Sequence, residues 1–297
     1  DVVHLSPPVA MAGGIRLDQI RLKDLAGDGF GRPTFTDRTE MSVNPKVSFG
    51  WYMRPADVTD NWSRLRVSAG TGIRPPGAFE IAFTDNPALK PERTRSVDVG
   101  LGQALASGRI VLEATAFFNR YDDLIVSVGQ SFKDASQFRT DNLDNSRARG
   151  LEVAASARTD QGFEVRATYT WLHTEVLELD ETLGQAKTGF NVGDSLLRRP
   201  RHQGSLEILF TQSLLTVFTS AGARGRTLDV DPSYGTFGGL FHNPGYKVVD
   251  LGGSLRILEE LELTARVKNL FNRHYEEAFG FPALGRSFVV GVRIATR

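Results

Sequence analysis

The chain has 297 residues, with 35 basic and 35 acidic side chains, 30 glycines and no cysteine. A formal charge of zero argues against a nucleic-acid partner, because such binding depends on the neutralisation of phosphates. The sequence has no run of about 18 apolar residues, which excludes a transmembrane helix. A membrane β-barrel is not excluded, since its lipid face uses only every second residue.

Twelve segments are predicted to be strands, because apolar and polar residues alternate in them with a period of two. The first nine residues, which include Pro7 and Pro8, are predicted to be irregular. Gly-, Pro- and Asp-rich links separate the strands. The predicted strands lie near residues 10–22, 47–54, 65–70, 94–104, 109–126, 138–157, 163–171, 206–210, 215–227, 246–257, 261–268 and 287–294.

The final two strands show what kind of sheet this is. Apolar Leu263, Ala265 and Val267 alternate with charged or hydroxyl residues, and Val290 and Val292 continue the apolar face in the next strand. A charged inner face does not suit a soluble sandwich but suits a wall with lipid outside and water inside. The charges predicted to line the lumen, in contact with water or a plug, are Glu113, Glu152, Glu164, Glu207, Glu262, Arg166, Arg266, Lys268 and Arg293.

Links of about eight to twenty residues alternate with turns of only a few. Long loops outside and short turns on the periplasmic side are typical of outer-membrane barrels, as are aromatic residues at strand ends. The long links 75–91, 179–199 and 229–244 are therefore predicted to recognise the ligand. The candidate ligand-binding residues are Arg74, Phe79, Tyr234, Phe237 and His242, and the predicted aromatic girdle is Trp51, Tyr169, Trp171, Phe271 and Tyr275.

Five sequence blocks, met in order along the chain, resemble the barrel of TonB-dependent outer-membrane receptors. They are 71–76 (TGIRPP), 86–92 (NPALKPE), 118–125 (FNRYDDLI), 149–152 (RGLE) and the closing block 267–275 (VKNLFNRHY), which is followed by the similar segments 281–282 (FP) and 285–288 (GRSF). Each block alone is a weak signal, whereas five in order make a strong one. Within this family, the residue pattern of the closing block is most similar to that of the cobalamin and siderophore receptors.

The resemblance implies an all-β protein, a transmembrane antiparallel barrel of 22 strands with a plug inside, located in the bacterial outer membrane. It implies active transport of a scarce ligand, such as a ferric siderophore or cobalamin, by energy received from the TonB complex. With about twelve strands, residues 1–297 are expected to be the C-terminal portion of the barrel. The plug, the N-terminal strands and any signal peptide are expected to precede Asp1, and an aromatic residue is expected just past Arg297.

The histidine and acidic residues of the sequence bear on two other functions, catalysis and metal binding. The five histidines are scattered without metal-ligand spacing, so His173 is not favoured as a catalytic base, and neither an enzyme activity nor a cofactor is predicted. Acidic pairs at Asp122 with Asp123 and at Asp229 with Asp231 could bind calcium but are more often solvated. The alternatives that remain are a self-contained barrel, as in a porin, adhesin or barrel enzyme, and a soluble all-β binding domain.

Overall fold

The computed structural model describes residues 2–6, 8–23, 36–54, 60–82, 87–129, 138–179, 190–231 and 239–295. Thirteen strands form one antiparallel sheet, and two more form a separate hairpin. The strands are β1 (Val2–Ser6), β2 (Val9–Leu22), β3 (Arg38–Arg54), β4 (Trp62–Arg74), β5 (Glu92–Leu105), β6 (Ile110–Gly129), β7 (Phe138–Arg158), β8 (Phe163–Glu178), β9 (His202–Gln212), β10 (Leu215–Arg224), β11 (Thr227–Val230), β12 (Leu240–Asn243), β13 (Tyr246–Leu258), β14 (Leu261–Lys268) and β15 (Ser287–Ile294).

The large sheet is a meander in which each strand pairs with its neighbours in sequence. The one departure is at β10, which pairs with β13 because β11 and β12 pair with each other outside the sheet. A short helix, α1 (Ala78–Ala82), lies in the link between β4 and β5. Among the described residues, β1 and β15 each have one partner strand, so they form the two edges of the sheet.

All twelve predicted strands are confirmed as members of this sheet. The prediction that the first nine residues are irregular is wrong, because Val2–Ser6 forms β1 and pairs with β2. The β-branched Val2 and Val3 favour an extended chain, and Pro8 falls in the turn, where a missing N–H costs no ladder bond. The link predicted at 229–244 also contains regular structure, since β12 and the end of β11 lie within it.

The two faces of the sheet differ as the alternation predicts. One face, here called the apolar face, presents large exposed hydrophobic side chains from nearly every strand, such as Ile15, Val97, Leu151 and Val290. The opposite face carries the charges predicted for the lumen, some of them in ion pairs such as Arg266 with Asp250 at 2.9 Å. An apolar face exposed over a whole sheet is stable when lipid covers it.

Short turns and long links lie at opposite ends of the sheet. The turn after β5 places Ala106, Ser107 and Gly108 at positive φ, and the turn after β9 does the same at Ser213. Strands β6 and β7 are 20 and 21 residues long, about twice the 9 to 11 residues a membrane strand needs, so they continue past the membrane at the long-link end. The described part contains no helix long and apolar enough to cross a membrane.

A small hydrophobic core lies at this long-link end. Leu143 of β7 and Val176 of β8 are fully buried there against Phe190 and Leu196, which come from the link between β8 and β9. Leu228, Val230 and Leu240 of the β11–β12 hairpin pack on the same cluster. This core fixes two of the long links against the extended ends of the strands and so shapes the site described next.

Candidate ligand-binding site

A cavity of about 670 Å³ opens at the long-link end, on the polar face of the sheet. Its wall comes from β6, β7 and β8, and its rim comes from the link before β9 and from the β11–β12 hairpin. The lining combines aromatic, aliphatic and cationic side chains, which is the composition expected of a small-molecule site. We call it the external cavity, and the residues used below are Arg74, Glu92, Phe117, Asn119, Tyr121, Phe190, Leu196, Arg198 and Arg199.

Arg74, a predicted ligand residue, lies on the wall of the external cavity with its charge already neutralised. Its guanidinium makes two bonds of 2.9 Å to Glu80 in α1 and bonds of 2.6 and 2.7 Å to Glu92. Burial raises the pKa of Glu80, but the hydrogen bonds from Arg74 and from the Gly77 N–H outweigh it, so the pKa lies below its usual value. Arg74 therefore holds α1 in place and offers little free charge to a ligand.

Arg198 is also neutralised, by a carboxylate buried beneath the cavity rim. Its Nε lies 2.9 Å from Oδ1 of Asp229, whose side chain is fully buried. Oδ1 also accepts the Val230 N–H at 2.9 Å, and Oδ2 accepts the Phe279 N–H at 2.8 Å. Asp229 thus joins three long links, those after β8, β10 and β14.

Arg199 differs from both, since it has no acidic partner within 4.0 Å in the described part of the chain. Its side chain is exposed and lines the same cavity as the Tyr121 ring and the Asn119 amide. An unpaired guanidinium is well suited to bind carboxylate, phosphate or another anionic oxygen. Among its described lining residues, the external cavity therefore offers one cation without a carboxylate partner, beside an aromatic and aliphatic wall.

Three aromatic rings on the polar face, of which Phe117 lines the external cavity, lie flat against the sheet rather than projecting from it. The Phe117 ring covers Gly150 on the neighbouring strand, with ring atoms 2.6 Å from where a Cβ would be. The Trp62 and Phe218 rings cover Gly102 and Gly252 in the same way. Glycine at these positions lets a large ring pack against the backbone, which leaves the lumen open.

Aromatic contacts also tie the rim links to each other. Tyr275 stacks on Tyr246 with ring centroids 4.0 Å apart, and Phe279 meets Phe241 edge to face at 5.3 Å. Tyr246 lies on the polar face, in the same alternation as Asp250, so the stack places the Tyr275 ring away from the lipid face and its predicted place in a membrane girdle is wrong. Trp51 and Tyr169 are on the apolar face and exposed, as the girdle requires.

The structure brings one predicted ligand residue into the cavity. Arg74 lines it, whereas His242 lies on β12 with an exposed side chain and is not part of the lining. Phe79 belongs to α1, but its side chain lies outside the described structure, as do Tyr234 and Phe237 entirely. Of the predicted recognition links, 179–199 and 229–244 contribute lining residues, and 75–91 contributes through its flanks at Arg74 and Glu92.

The carboxylates considered for calcium have other roles among the described residues, which contain no cluster of three metal-ligating side chains. Asp122 pairs with Arg95 at 3.0 Å, Asp123 pairs with Lys90 at 3.1 Å, and Asp229 pairs with Arg198. These three carboxylates thus each have a cationic partner.

Tyr121, Phe190 and Arg199 line the external cavity, although none of the three was a ligand residue predicted from the sequence. A usable signal existed for Arg199, since Arg198, Arg199 and Arg201 form a basic run directly before β9. Tyr121 could not be predicted as a lining residue, because its place in the alternation of apolar and polar residues along β6 is that of any polar-face residue. Tyr121 becomes part of a cavity only when the long links fold over the end of β6.

The comparisons with known proteins agree with this architecture. The family model described as TonB dependent receptor-like, beta-barrel matches residues 1–270. The chain is 23% identical to the metal-pseudopaline receptor CntO of Pseudomonas aeruginosa strain UCBPP-PA14, over 89% of this chain and 35% of that protein. It is 24% identical to the vitamin B12 transporter BtuB of Vibrio vulnificus strain YJ016, over 84% of this chain and 37% of that protein.

Solved structures show the same fold. The siderophore receptor PiuA from Acinetobacter baumannii superposes with a TM-score of 0.74 at 16% identity, over 99% of this chain and 42% of that one. The copper transporter OprC gives a TM-score of 0.72 at 19% identity, over 99% and 45%. The chain thus spans between a third and a half of these relatives' length. With its family model matched over 270 residues, the chain belongs to the TonB-dependent receptor-like β-barrel family of the outer membrane of Gram-negative bacteria.

Proposed function

We propose that this chain is the C-terminal part of the barrel of an active-transport receptor that takes up a scarce ligand with energy from the TonB complex. The ligand class is a ferric siderophore or cobalamin. The observation that carries the proposal is the match of residues 1–270 to the receptor barrel, together with a 670 Å³ cavity at the external end of its lumen face. The proposed role is transport, not catalysis.

The charges that line the external cavity favour one class of ligand over the other. Arg74 is paired with two carboxylates and Arg198 with one, so among the described lining residues Arg199 is the cation available to a ligand. Tyr121 and Phe190 supply flat apolar contact beside it. An anionic metal chelate with an aromatic or aliphatic frame matches this combination better than a neutral one, because the guanidinium then gains a charge-assisted bond. A ferric siderophore is thus favoured over cobalamin.

The opposite edges of the sheet support the proposal that further strands complete the wall. In hydrocarbon each unsatisfied backbone group costs several kcal/mol, so β1 and β15 require partners. We propose that the remaining barrel strands supply them and that a plug fills the lumen, since a 22-strand barrel is too wide to be filled by its own side chains. A plug would face the charged polar face described above.

Uptake by the whole receptor tests the function. The receptor would be expressed in cells that lack their own siderophore and cobalamin receptors, and given a labelled ferric tris-catecholate, a neutral ferric tris-hydroxamate or cyanocobalamin. We expect accumulation of the anionic chelate that stops when TonB is deleted or the proton gradient is collapsed. Uptake that persists without TonB would favour a passive porin, and no uptake of any of the three probes would overturn the transport proposal.

Arg199→Gln tests the site itself. We expect this variant to bind the ferric tris-catecholate at least tenfold more weakly, while the barrel still shows heat-modifiable gel mobility. Arg109→Gln is the matched control, because Arg109 is exposed in a short turn at the opposite end of the sheet. Equal affinity of the Arg199→Gln variant and the control would remove Arg199 from the site.

A further inference from the structure

The apolar face ends abruptly in arginine at the long-link end of β5, β6 and β7. Val97, Phe118 and Arg149 lie directly opposite one another on these strands, and the next row outward on the same face is Arg95, Arg120 and Arg147. Two residues along a strand cover about 6.6 Å, so the change from apolar to cationic occurs within one such step. We call Arg95, Arg120, Arg147 and Arg149 the arginine patch.

The level of the patch relative to the membrane follows from the neighbouring strand. Trp171 lies opposite Leu151, one row below Arg149, and Tyr169 lies opposite Val153, one row further down. Tyr169 is exposed on this face and Trp171 is partly buried, and Trp and Tyr side chains on a lipid face mark the boundary between hydrocarbon and headgroups. The arginine patch therefore lies at the headgroup level of the outer leaflet, on the side of the wall that faces lipid.

The patch carries more positive charge than the described side chains around it neutralise. Asp122 lies 3.0 Å from Arg95 and 3.6 Å from Arg120, and Glu175 lies 2.6 Å from Arg147. Arg149 is exposed and has no ion pair in the described part of the chain. Among the side chains that the structure describes, four guanidinium groups thus share two carboxylates, although like charges directly opposite each other destabilise a sheet. An external anion would relieve this repulsion.

An apolar cleft lies beside the patch. The ladder between β3 and β4 stops at Lys46 and Gly70, where the next β3 residue, Pro45, has no N–H to donate. A cleft of about 910 Å³ follows this seam, and its lining includes Ile15, Val47 and Ala69 from the apolar face, with Arg95 at its edge. The cleft has the shape and chemistry to accept a hydrocarbon chain.

We propose that the arginine patch binds the phosphate groups of a phosphorylated outer-leaflet lipid, with an acyl chain of that lipid in the adjoining cleft. Guanidinium groups bind phosphate oxygens with paired hydrogen bonds, and three of them on neighbouring strands lie within about 10 Å, since strands are about 4.8 Å apart. A lipid is favoured over a free phosphate because the cations adjoin an apolar face and a cleft. The site does not depend on which ligand the receptor transports.

Lipid binding to the whole receptor tests this proposal. The detergent-solubilised receptor would be titrated with diphosphoryl lipid A and followed by native mass spectrometry, with dephosphorylated lipid A and inorganic phosphate as parallel probes. We expect the diphosphoryl lipid to bind at least tenfold more tightly than either of the other two. Equal binding of the dephosphorylated lipid would overturn the role of the arginines, and equal binding of inorganic phosphate would overturn the role of the cleft.

Two double variants distinguish lipid binding by the arginine patch from a general effect of removing positive charge. Arg120→Gln with Arg149→Gln should weaken binding of diphosphoryl lipid A at least tenfold, while Arg120→Lys with Arg149→Lys should keep most of it. The matched control is Arg66→Gln with Arg166→Gln, which removes two arginines from the polar face. Heat-modifiable mobility would check that each variant is folded. If the patch and control variants lost affinity equally, the proposal would be wrong.

Discussion

Asp229 and Arg198 form an ion pair that is buried at one end and exposed at the other. The Asp229 carboxylate is wholly inaccessible to solvent, whereas half of the Arg198 side chain remains exposed at the rim of the external cavity. The remaining lone pairs of Asp229 accept backbone N–H groups of Val230 and Phe279. The pair therefore fixes the rim links to each other and leaves the guanidinium edge facing the cavity.

Asp229→Asn should loosen the rim without unfolding the barrel. The amide can replace one carboxylate oxygen, but its NH₂ cannot accept the second N–H, and leaving a buried donor unpaired costs about 1–3 kcal/mol. Spin labels at Val192→Cys and Phe281→Cys would report the distance between two rim links, and this chain has no cysteine to interfere. We expect a broader distance distribution in the variant. Asp160→Asn, in an exposed turn pair, is the control and should change nothing.

Low pH should loosen the rim that Asp229 holds, and the direction of this pH dependence follows from the lowered pKa of Asp229. Burial raises the pKa of Asp229, but the Phe279 N–H, Arg198 and the Val230 N–H outweigh it and leave the pKa below its usual value. Such a carboxyl stabilises the docked rim fully above its unfolded pKa of about 3.9 and loses that contribution as pH falls through the lower folded value. The spin-label distances should stay constant from pH 7 to about pH 5 and broaden below about pH 4. Broadening that begins near pH 6 would point to a histidine instead.

The strands could be predicted because their information is local. Alternation along a strand specifies both the strand and its two faces, and all twelve strands found in this way belong to the sheet. The external cavity could be predicted only in part, as Arg74 and two of the long links, because Arg74, Tyr121 and Arg199 come from three separate elements that meet only when the links fold over the strand ends. The core of Leu143, Val176 and Phe190 that holds them has the same non-local origin.

The closing sequence block shows how a recognisable motif encodes geometry. Asn269 and Asn272 adopt positive φ values of 49° and 50°, which Asn tolerates better than most residues. The Asn269 side chain accepts the Arg273 N–H at 2.8 Å and donates to the carbonyls of Arg273 and Leu284 at 2.8 and 3.2 Å. The motif was recognised from the sequence by resemblance alone, and the structure supplies its physical reason, a turn held by one buried amide.

Gly150→Ala should impair barrel assembly more than the loss of a glycine normally does. A Cβ at this position would collide with the Trp171 carbonyl oxygen and with the Phe117 ring, so the β7–β8 ladder would have to shift. We expect a cost of about 1–3 kcal/mol, typical of overpacking. Gly14→Ala is the control, because nothing lies within 4 Å of its Cβ position. The denaturant midpoint of the refolded receptor measures both, and equal midpoints would show that the wall tolerates the shift.

The two faces should respond differently to a new charge. Val267→Arg, Ala167→Arg and Val290→Arg place a cation in hydrocarbon, at a cost of roughly 2–4 kcal/mol near the midplane. Thr168→Arg and Thr264→Arg place it on the polar face, where Thr168 now bonds Ser205 at 2.7 Å. Heat-modifiable gel mobility should show reduced assembly only for the first group. Equal loss in both groups would contradict the assignment of the faces.

The long-link end should face the outside of the cell. Val192, in the link between β8 and β9, is 63% exposed, and Gln161 and Glu259 are exposed in short turns at the opposite end. A membrane-impermeant maleimide applied to intact cells should label a Val192→Cys variant but neither Gln161→Cys nor Glu259→Cys. All three should be labelled after the cells are lysed, which controls for reactivity. Because the external cavity and the arginine patch both lie at the long-link end, labelling confined to the short turns would place them in the periplasm and would contradict both proposed roles.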